Sequence, residues 1–282
     1  MDYLIGKGYS QRLSCAVVGL SRSSYCRMRA QREAAMLDPS VVKHDDLRRW
    51  VNDFADSHRR WGYRRAYVAA LDAGYDIGRD AFRRLWRKEQ LLVTPRTLRK
   101  RVCATTPIAR VSPADHPGHV WALDFQFDSD YQGRRFKICN VIDEFTRQHV
   151  TFKVDRSIDA ASVVELLDLA VLDRGAPKVL RMDNGPEFIA AKLQDWAEEH
   201  KCVQAFIPPG QPWHNGFVES FHNRMRDEVL EDNLFDDVEQ ARQIIGFWSK
   251  RYNDTHPHSS LGYMSPNRFA VQWRKENTTA AT

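Results

Sequence analysis

The sequence predicts an α/β protein: a mixed five-stranded sheet with flanking helices, preceded by small all-α, helix-turn-helix-like domains. Three observations predict it. Residues 120–127 alternate apolar and less apolar side chains, the two-residue period of a strand. From there strand and helix patterns follow in the order β-β-β-α-β-α-β-α-α. Before residue 94 the apolar residues recur only at helical spacing, between many arginines.

Composition narrows the class. Of 282 residues, 43% are apolar and 28% charged, which suits a globular chain with room for one large domain and one or two small ones. No apolar run approaches 18 residues, so no membrane span is expected. Met1–Lys7 lacks a basic start before a long apolar core, so no secretory signal is expected. The cysteines at 15, 26, 103, 139 and 202 are odd in number and widely spaced. That pattern argues for reduced thiols and against a disulfide frame or a cysteine zinc site.

Net charge is +5, but unevenly spread. Residues 1–118 hold 23 Lys and Arg against 12 Asp and Glu, a surplus of 11. The remainder holds 19 against 25, a deficit of 6. The basic front suits a polyanion such as a nucleic acid. The acidic back does not, unless some of its carboxylates carry metal ions.

Residues 1–40 read as an N-terminal helical segment. Ser10–Leu20 and Ser21–Arg29 are two short helices around Gly19, a helix-turn-helix pattern that a plain helical hairpin also satisfies. Residues 41–94 read as a second helical domain. Leu47, Trp50, Val51 and Phe54 share one helix face; Gly74 and Gly78 mark a turn; Asp80 is placed to cap the helix of Phe82, Leu85 and Trp86. Arg59, Arg60, Arg64 and Arg65 crowd the stretch His58–Arg65, and phosphate contact is expected for several of these arginines. Residues 95–118 read as a basic, proline-bearing linker, where Arg99, Lys100 and Arg101 are further candidates for a DNA backbone.

A core is expected over 119–275, with a tail at 276–282. In its first strand Trp121, Leu123, Phe125 and Phe127 fall on one face, and Ala122, Asp124 and Gln126 on the other. Residues 136–142 and 150–154 follow as strands, then a helix over 158–172 stopped by Gly175 and Pro177. Strand 178–182, helix 186–200 with Pro186 in its first turn, strand 202–207 and helices 215–230 and 237–252 complete the order. Such an order is that of ribonuclease H-like folds, in which the first and fourth strands are neighbours.

Three acids occupy special places in it. Asp124 lies within the first strand, Asp183 directly after the fourth, and Glu219 on a helix after a proline-rich loop. Asp183 and Glu219 are separated by 35 residues. Two carboxylates brought close repel each other and call for a cation. A third completes an oxygen-rich site of the kind Mg²⁺ prefers. Two such ions about 4 Å apart serve phosphoryl transfer without a covalent protein nucleophile. Arg226 follows Glu219 by two helical turns and Asn223 by one, so both are expected to face the site. Val218, Phe221, Met225 and Val229 form the adjoining apolar stripe, and His222 is expected at the surface.

Asp124, Asp183 and Glu219 resemble the Asp-Asp-(35)-Glu triad of retroviral integrases and related transposases. The surroundings resemble more specifically the second-frame (orfB-type) transposases of bacterial two-frame insertion sequences. The residues that carry this likeness are 58–65, Asp183-Asn184-Gly185-Pro186-Glu187-Phe188, Pro209-Gly210-Gln211-Pro212 and Asn215-Gly216. Tyr252-Asn253, the run 258–263 and Ser265-Pro266 add a C-terminal signature. His256 stands where the family commonly has arginine before Pro257-His258, and metal binding by the pair of histidines is not expected. No N-terminal His/Cys zinc spacing of the retroviral kind is present, which favours the insertion-sequence branch.

The resemblance implies a DDE transposase: Mg²⁺-dependent cleavage at the element's ends (Mn²⁺ can substitute), then attack by a 3′-hydroxyl on another strand. It implies that Asp124, Asp183 and Glu219 hold the metal and that the basic residue at 226 contacts DNA near the scissile phosphate. Its implied partners are the terminal repeats, the target DNA, and the upstream-frame product or a frameshift fusion with it. A homo-oligomer on DNA, in the bacterial cytoplasm and at the nucleoid when bound, is implied as well. Two alternatives stay open: a metal nuclease that cuts without joining, and a catalytically silent, transposase-derived DNA-binding protein.

Overall fold

The computed structural model describes residues 2–37, 39–93, 113–207 and 216–279, with side chains at 3–29, 45–93, 113–207 and 216–277. Arg99, Lys100 and Arg101 of the linker and the Pro209–Asn215 loop lie outside the described residues. The chain divides into two units, Met1–Pro95 and Arg96–Thr282.

The first unit is helical throughout: α1 (Asp2–Gly6), α2 (Gln11–Val18), α3 (Arg22–Leu37), α4 (Pro39–Ser57), α5 (Tyr63–Asp72) and α6 (Arg79–Lys88). Ser10 caps α2 by accepting from the Leu13 amide, and Gly19 ends it in the left-handed conformation that glycine adopts without strain. The predicted turn between two helices is therefore present, although the second, expected to end at Arg29, runs on to Leu37. Leu47, Val51, Ala66, Ala70, Phe82 and Trp86 form the core of α4 to α6. Trp50, Phe54, His58 and Trp61 continue it as a file of ring contacts 4.3–4.8 Å apart. Asp80 does not cap α6. Gly78 holds the cap position, and Asp80 sits within the first turn, where its charge still favours the amino end of the helix dipole.

The second unit is built on one sheet. Its strands are β1 (Val120–Ser129), β2 (Arg135–Asp143), β3 (His149–Asp155), β4 (Val179–Met182) and β5 (Val203–Phe206), in the spatial order β3-β2-β1-β4-β5. The first three form an antiparallel meander, whereas β4 runs parallel to β1 and β5 parallel to β4. Both faces of the sheet are covered. Trp121 and Leu123 point into a cluster with α7 (Ala160–Arg174) and α8 (Ala191–Glu199). Ala122 points the other way, into a cluster with Val218, Phe221 and Met225 of α9 (Gly216–Met225) and with Ala241, Ile245, Trp248 and Tyr252 of α10 (Val238–Thr255).

Three local expectations need correction. The helix expected at 186–200 begins only at Ala191. Residues 186–190 turn instead, because Phe188 is drawn fully into the core and stacks on Phe125 at 4.8 Å. The helix expected at 215–230 is α-helical to Met225 and π-helical from Arg226 to Leu230, closed by the Glu231 amide on the Arg226 carbonyl. The wider turn buries Val229 and Leu230 side by side and lets Glu228 accept from the Trp248 indole at 3.0 Å. A helix not foreseen, α11 (Pro266–Thr279), packs Phe269 and Trp273 onto the ring of Phe145.

The C-terminal signature is structural. The Asn253 side chain bonds both the amide and the carbonyl of His149 on β3, and Tyr252 donates to the Arg147 carbonyl. Together with the Phe221–Trp248–Tyr252 ring cluster, these bonds hold α10 and α9 on the sheet. Phe221, almost fully buried, is the hinge pin of that cluster. Replacing it with Ala is expected to cost about 3–5 kcal/mol in urea unfolding of the chain. Phe247→Ala, at a position 78% exposed, is expected to change stability by about 0.5 kcal/mol or less.

Candidate functional site: an acidic cluster at the β1–β4 junction

The pairing of β1 with β4 sets two of the acids. Val120, Trp121 and Ala122 lie opposite Val179, Leu180 and Arg181. Continued by two residues, the same parallel register brings Asp183 beside Asp124. Asp183 is the first residue beyond β4 and is exposed. It opens a tight turn: the Gly185 amide donates to Asp183 Oδ1 at 2.9 Å, and Asn184 Nδ2 donates to the Ile207 carbonyl at 2.7 Å. A Cβ on Gly185 would stand 3.0 Å from Asp183 Oδ1, so any larger residue there presses on the carboxylate. Glu219 enters from the first turn of α9.

Asp124 is the most perturbed of the three. Its side chain is 25% exposed, and its Oδ1 accepts from the Phe125 amide at 2.8 Å. Burial first, then the charge of Asp183 and that of Glu219, push its carboxyl up to about 7 against the one hydrogen bond that favours the ion. Asp183 and Glu219 thus both bear on Asp124. Among the described residues, the group whose possible ligand atoms all lie within 4.8 Å of one another is not these three acids but Asp115, His116 and His119, just before β1. Their ligand atoms are occupied with each other, Asp115 Oδ1 lying 2.7 Å from His119 Nδ1 and bonded to His116.

The remaining candidates separate. Arg226 is half-buried and donates to the Phe127 carbonyl at 3.4 Å; its charge also bears on His222. Asn223 is exposed. In the helical unit Arg59, Arg60 and Arg64 are exposed, while Arg65 is half-buried with its guanidinium 5.7 Å from the Trp61 ring. Arg64 hydrogen-bonds the Tyr63 hydroxyl and holds its pKa below the usual phenol value.

His222 contradicts the expectation of a surface residue. Its side chain is only 14% exposed and lies on the Asp124 side of α9, with Nδ1 3.7 Å from Asp124 Oδ2. Burial, then the charge of Arg226, lowers its pKa to about 4, so the ring is neutral at pH 7. Gln126 and Asn140, both buried, face it. The strand alternation already put Gln126 on the Asp124 face. An amide buried beside an acid was the signal available. His256 and His258 are buried as well, and His256 Nε2 lies 3.0 Å from Arg224.

With this geometry in place, similarity to known proteins can be stated. Two family signatures, each described as an integrase core domain, match residues 114–212 and 200–266. A 39.2 kDa protein of insertion element IS476 from Xanthomonas euvesicatoria is 34% identical over 96% of this chain and 75% of its own length. A 31.7 kDa protein of insertion element IS407 from Burkholderia multivorans is 34% identical over 94% of this chain and 92% of its own. The chain belongs to the insertion-element transposases with an integrase core. A transposase of element IS629 from Shigella sonnei is a more distant member, 22% identical over 89% of this chain and 88% of its own. The fold of the family core is shared with a solved chain of the simian T-cell lymphotropic virus intasome, at a TM-score of 0.51 and 14% identity, covering 73% of this chain and 74% of that one. Among the described residues of this transposase-family chain, no helix is long and apolar enough to cross a membrane.

The raised pKa of Asp124 has a measurable consequence in metal-free protein. Its folded-state value of about 7 exceeds the unfolded value of 3.8. The associated stability is therefore full below about pH 4 and is lost as pH rises through 7, to an extent of roughly 4 kcal/mol at most. In chelator, Asp124→Asn is expected to melt above the parent chain at pH 8 and to lose that advantage near pH 4. Equal melting differences at both pH values would contradict the assigned perturbation.

Proposed function

We propose that the chain is a DDE transposase that cuts DNA at the ends of an insertion element and joins those ends to target DNA, using Mg²⁺. The observation that carries the proposal is the convergence of charge on Asp124 from Asp183 and Glu219. Three carboxylates, two of them half-buried, make an oxygen-only donor set that fits Mg²⁺, or Mn²⁺ in its place. In this proposal Asp124, Asp183 and Glu219 hold two ions, the usual arrangement for such chemistry. Bound there, the metal would supply Lewis-acid charge to the phosphate and lower the pKa of the attacking hydroxyl.

The chain's own residues position the reaction. The β1–β4 register fixes Asp183 against Asp124, and α9 carries Glu219 to them. Arg226, with Asn223 one turn before it, is proposed to meet the DNA backbone near the scissile phosphate. In the joining step a 3′-hydroxyl oxygen forms a bond to a target phosphorus, and the bond from that phosphorus to the target's own 3′-oxygen breaks. The hydroxyl proton ends on the departing oxygen or on water. One phosphodiester replaces another, so no nucleotide cofactor is consumed.

The helical unit is proposed as the duplex-binding part, reading terminal repeats through residues 1–40 and 41–94 and gripping phosphate with Arg59, Arg60, Arg64 and Arg65. The linker 95–118, with Arg99, Lys100 and Arg101, would continue that grip to a core at 119–275 and its tail at 276–282. The assembly is proposed to be a homo-oligomer on DNA in the bacterial cytoplasm. As an orfB-type product, it would act with the upstream-frame product or as a fusion to it.

The test uses the chain, supplied with the upstream-frame product, and a labelled duplex carrying the element's terminal repeat with Mg²⁺. Joined product is expected, and Glu219→Gln is expected to reduce it on the order of a thousandfold. Full-rate joining by the variant would remove the acid from the chemistry. Cutting without any joined product would make the chain a nuclease.

A further inference from the structure

Beneath the acidic cluster lies a set of buried amides that neither metal binding nor DNA contact requires. Gln126 is 4% exposed and Asn140 fully buried. Both belong to the sheet face that α9 covers. Gln126 shares the Asp124 face of β1, and Asn140 is the residue of β2 directly paired with Asp124. An amide buried under an apolar helix is costly unless it is hydrogen-bonded. The amide nitrogens of both are spent on a single residue of α9, while Gln126 Oε1 and Asn140 Oδ1 have no partner among the described residues. Gln126 Nε2 donates to the main-chain carbonyl of His222 at 3.1 Å. Asn140 Nδ2 lies 3.0 Å from His222 Nε2.

That second contact suits one tautomer of the ring. With Asn140 Nδ2 donating, Nε2 is the acceptor, and the ring hydrogen sits on Nδ1. Nδ1 faces Asp124 Oδ2 at 3.7 Å. The other oxygen of the same carboxylate is already held by the Phe125 amide at 2.8 Å. His222 is also one turn after Glu219 on α9. One side chain thus bridges the strand that carries one acid and the helix that carries another.

We propose that His222 is a positioning residue: clamped by Gln126 and Asn140, it fixes α9 on β1 and sets the orientation of Asp124 toward Glu219. This rests on the metal-site assignment made under Proposed function. In this role the ring is neither a metal ligand nor a DNA contact; it acts through the two acids. A polar partner behind a ligand fixes its direction, and losing such a partner typically costs ten- to hundredfold in metal affinity.

Mn²⁺ binding by the full chain, followed by the loss of the free Mn²⁺ paramagnetic signal, tests this without any DNA. Four proteins are compared: the parent, His222→Phe, His222→Asn and Glu219→Gln, each with its melting temperature. His222→Phe keeps a ring but removes both nitrogens; roughly tenfold or greater loss of Mn²⁺ affinity is expected. His222→Asn places an amide nitrogen where Nδ1 stood and is expected to recover most of that loss, even if it melts no higher than the Phe variant. Parent-like affinity in His222→Phe would overturn the proposal. So would losses that follow melting temperature across both variants, since a purely structural role produces that order. If the parent and Glu219→Gln bind Mn²⁺ equally weakly, the metal-site assignment itself is wrong, and the positioning role falls with it.

Discussion

The charge on Asp124 organises this unit of the protein. A carboxylate on a sheet strand, three-quarters covered, would ordinarily find a cationic side chain or protonate. Asp124 instead has two more acids near it and one backbone amide in its favour. Such an arrangement is unfavourable on its own and persists only where the surrounding fold imposes it. Its instability is relieved by a proton or by a divalent cation. The acidic balance of residues 119–282, in a chain that is basic overall, fits that demand.

The rest of the fold reads as the means of imposing it. Parallel pairing of β1 and β4 brings Asp124 and Asp183 level, and the Asn184 and Gly185 bonds fix the turn after β4. Bringing in Glu219 requires α9 to lie flat on β1 and β2. Two kinds of contact do that. Phe221, Met225 and Val218 supply apolar burial, backed by α10. Gln126, Asn140 and His222 supply direction, since hydrogen bonds tolerate less sliding than apolar contact does. The π-helical turn that follows Met225 lets the chain continue without disturbing either set.

Much of this was legible in residues alone, and the exceptions have physical causes. Alternation over 120–127 gave β1 and both of its faces. The position of Asp183 at the end of an apolar run gave its place after β4. Periodicity failed where tertiary contacts override local preference. Pro186 is a good first-turn residue, yet Phe188 is worth more stacked on Phe125 than on a helix surface, so α8 starts later. The π turn depends on Glu228 reaching the Trp248 indole, a contact across helices that no window of sequence contains. His222 looked like a surface residue because its partners, Gln126 and Asn140, come from strands over eighty residues away. Helix α11 was missed although Phe269 and Trp273 have helical spacing; Phe145, which they cover, is distant in the chain.

Whether the three acids hold a divalent ion is best settled by Mn²⁺ anomalous scattering from crystals of the chain grown in Mn²⁺. The expected result is an anomalous peak within about 2.5 Å of carboxylate oxygens from both Asp124 and Asp183, with Glu219 turned toward it. Anomalous signal confined to Asp115, His116 and His119, or none near Asp124, would contradict the account.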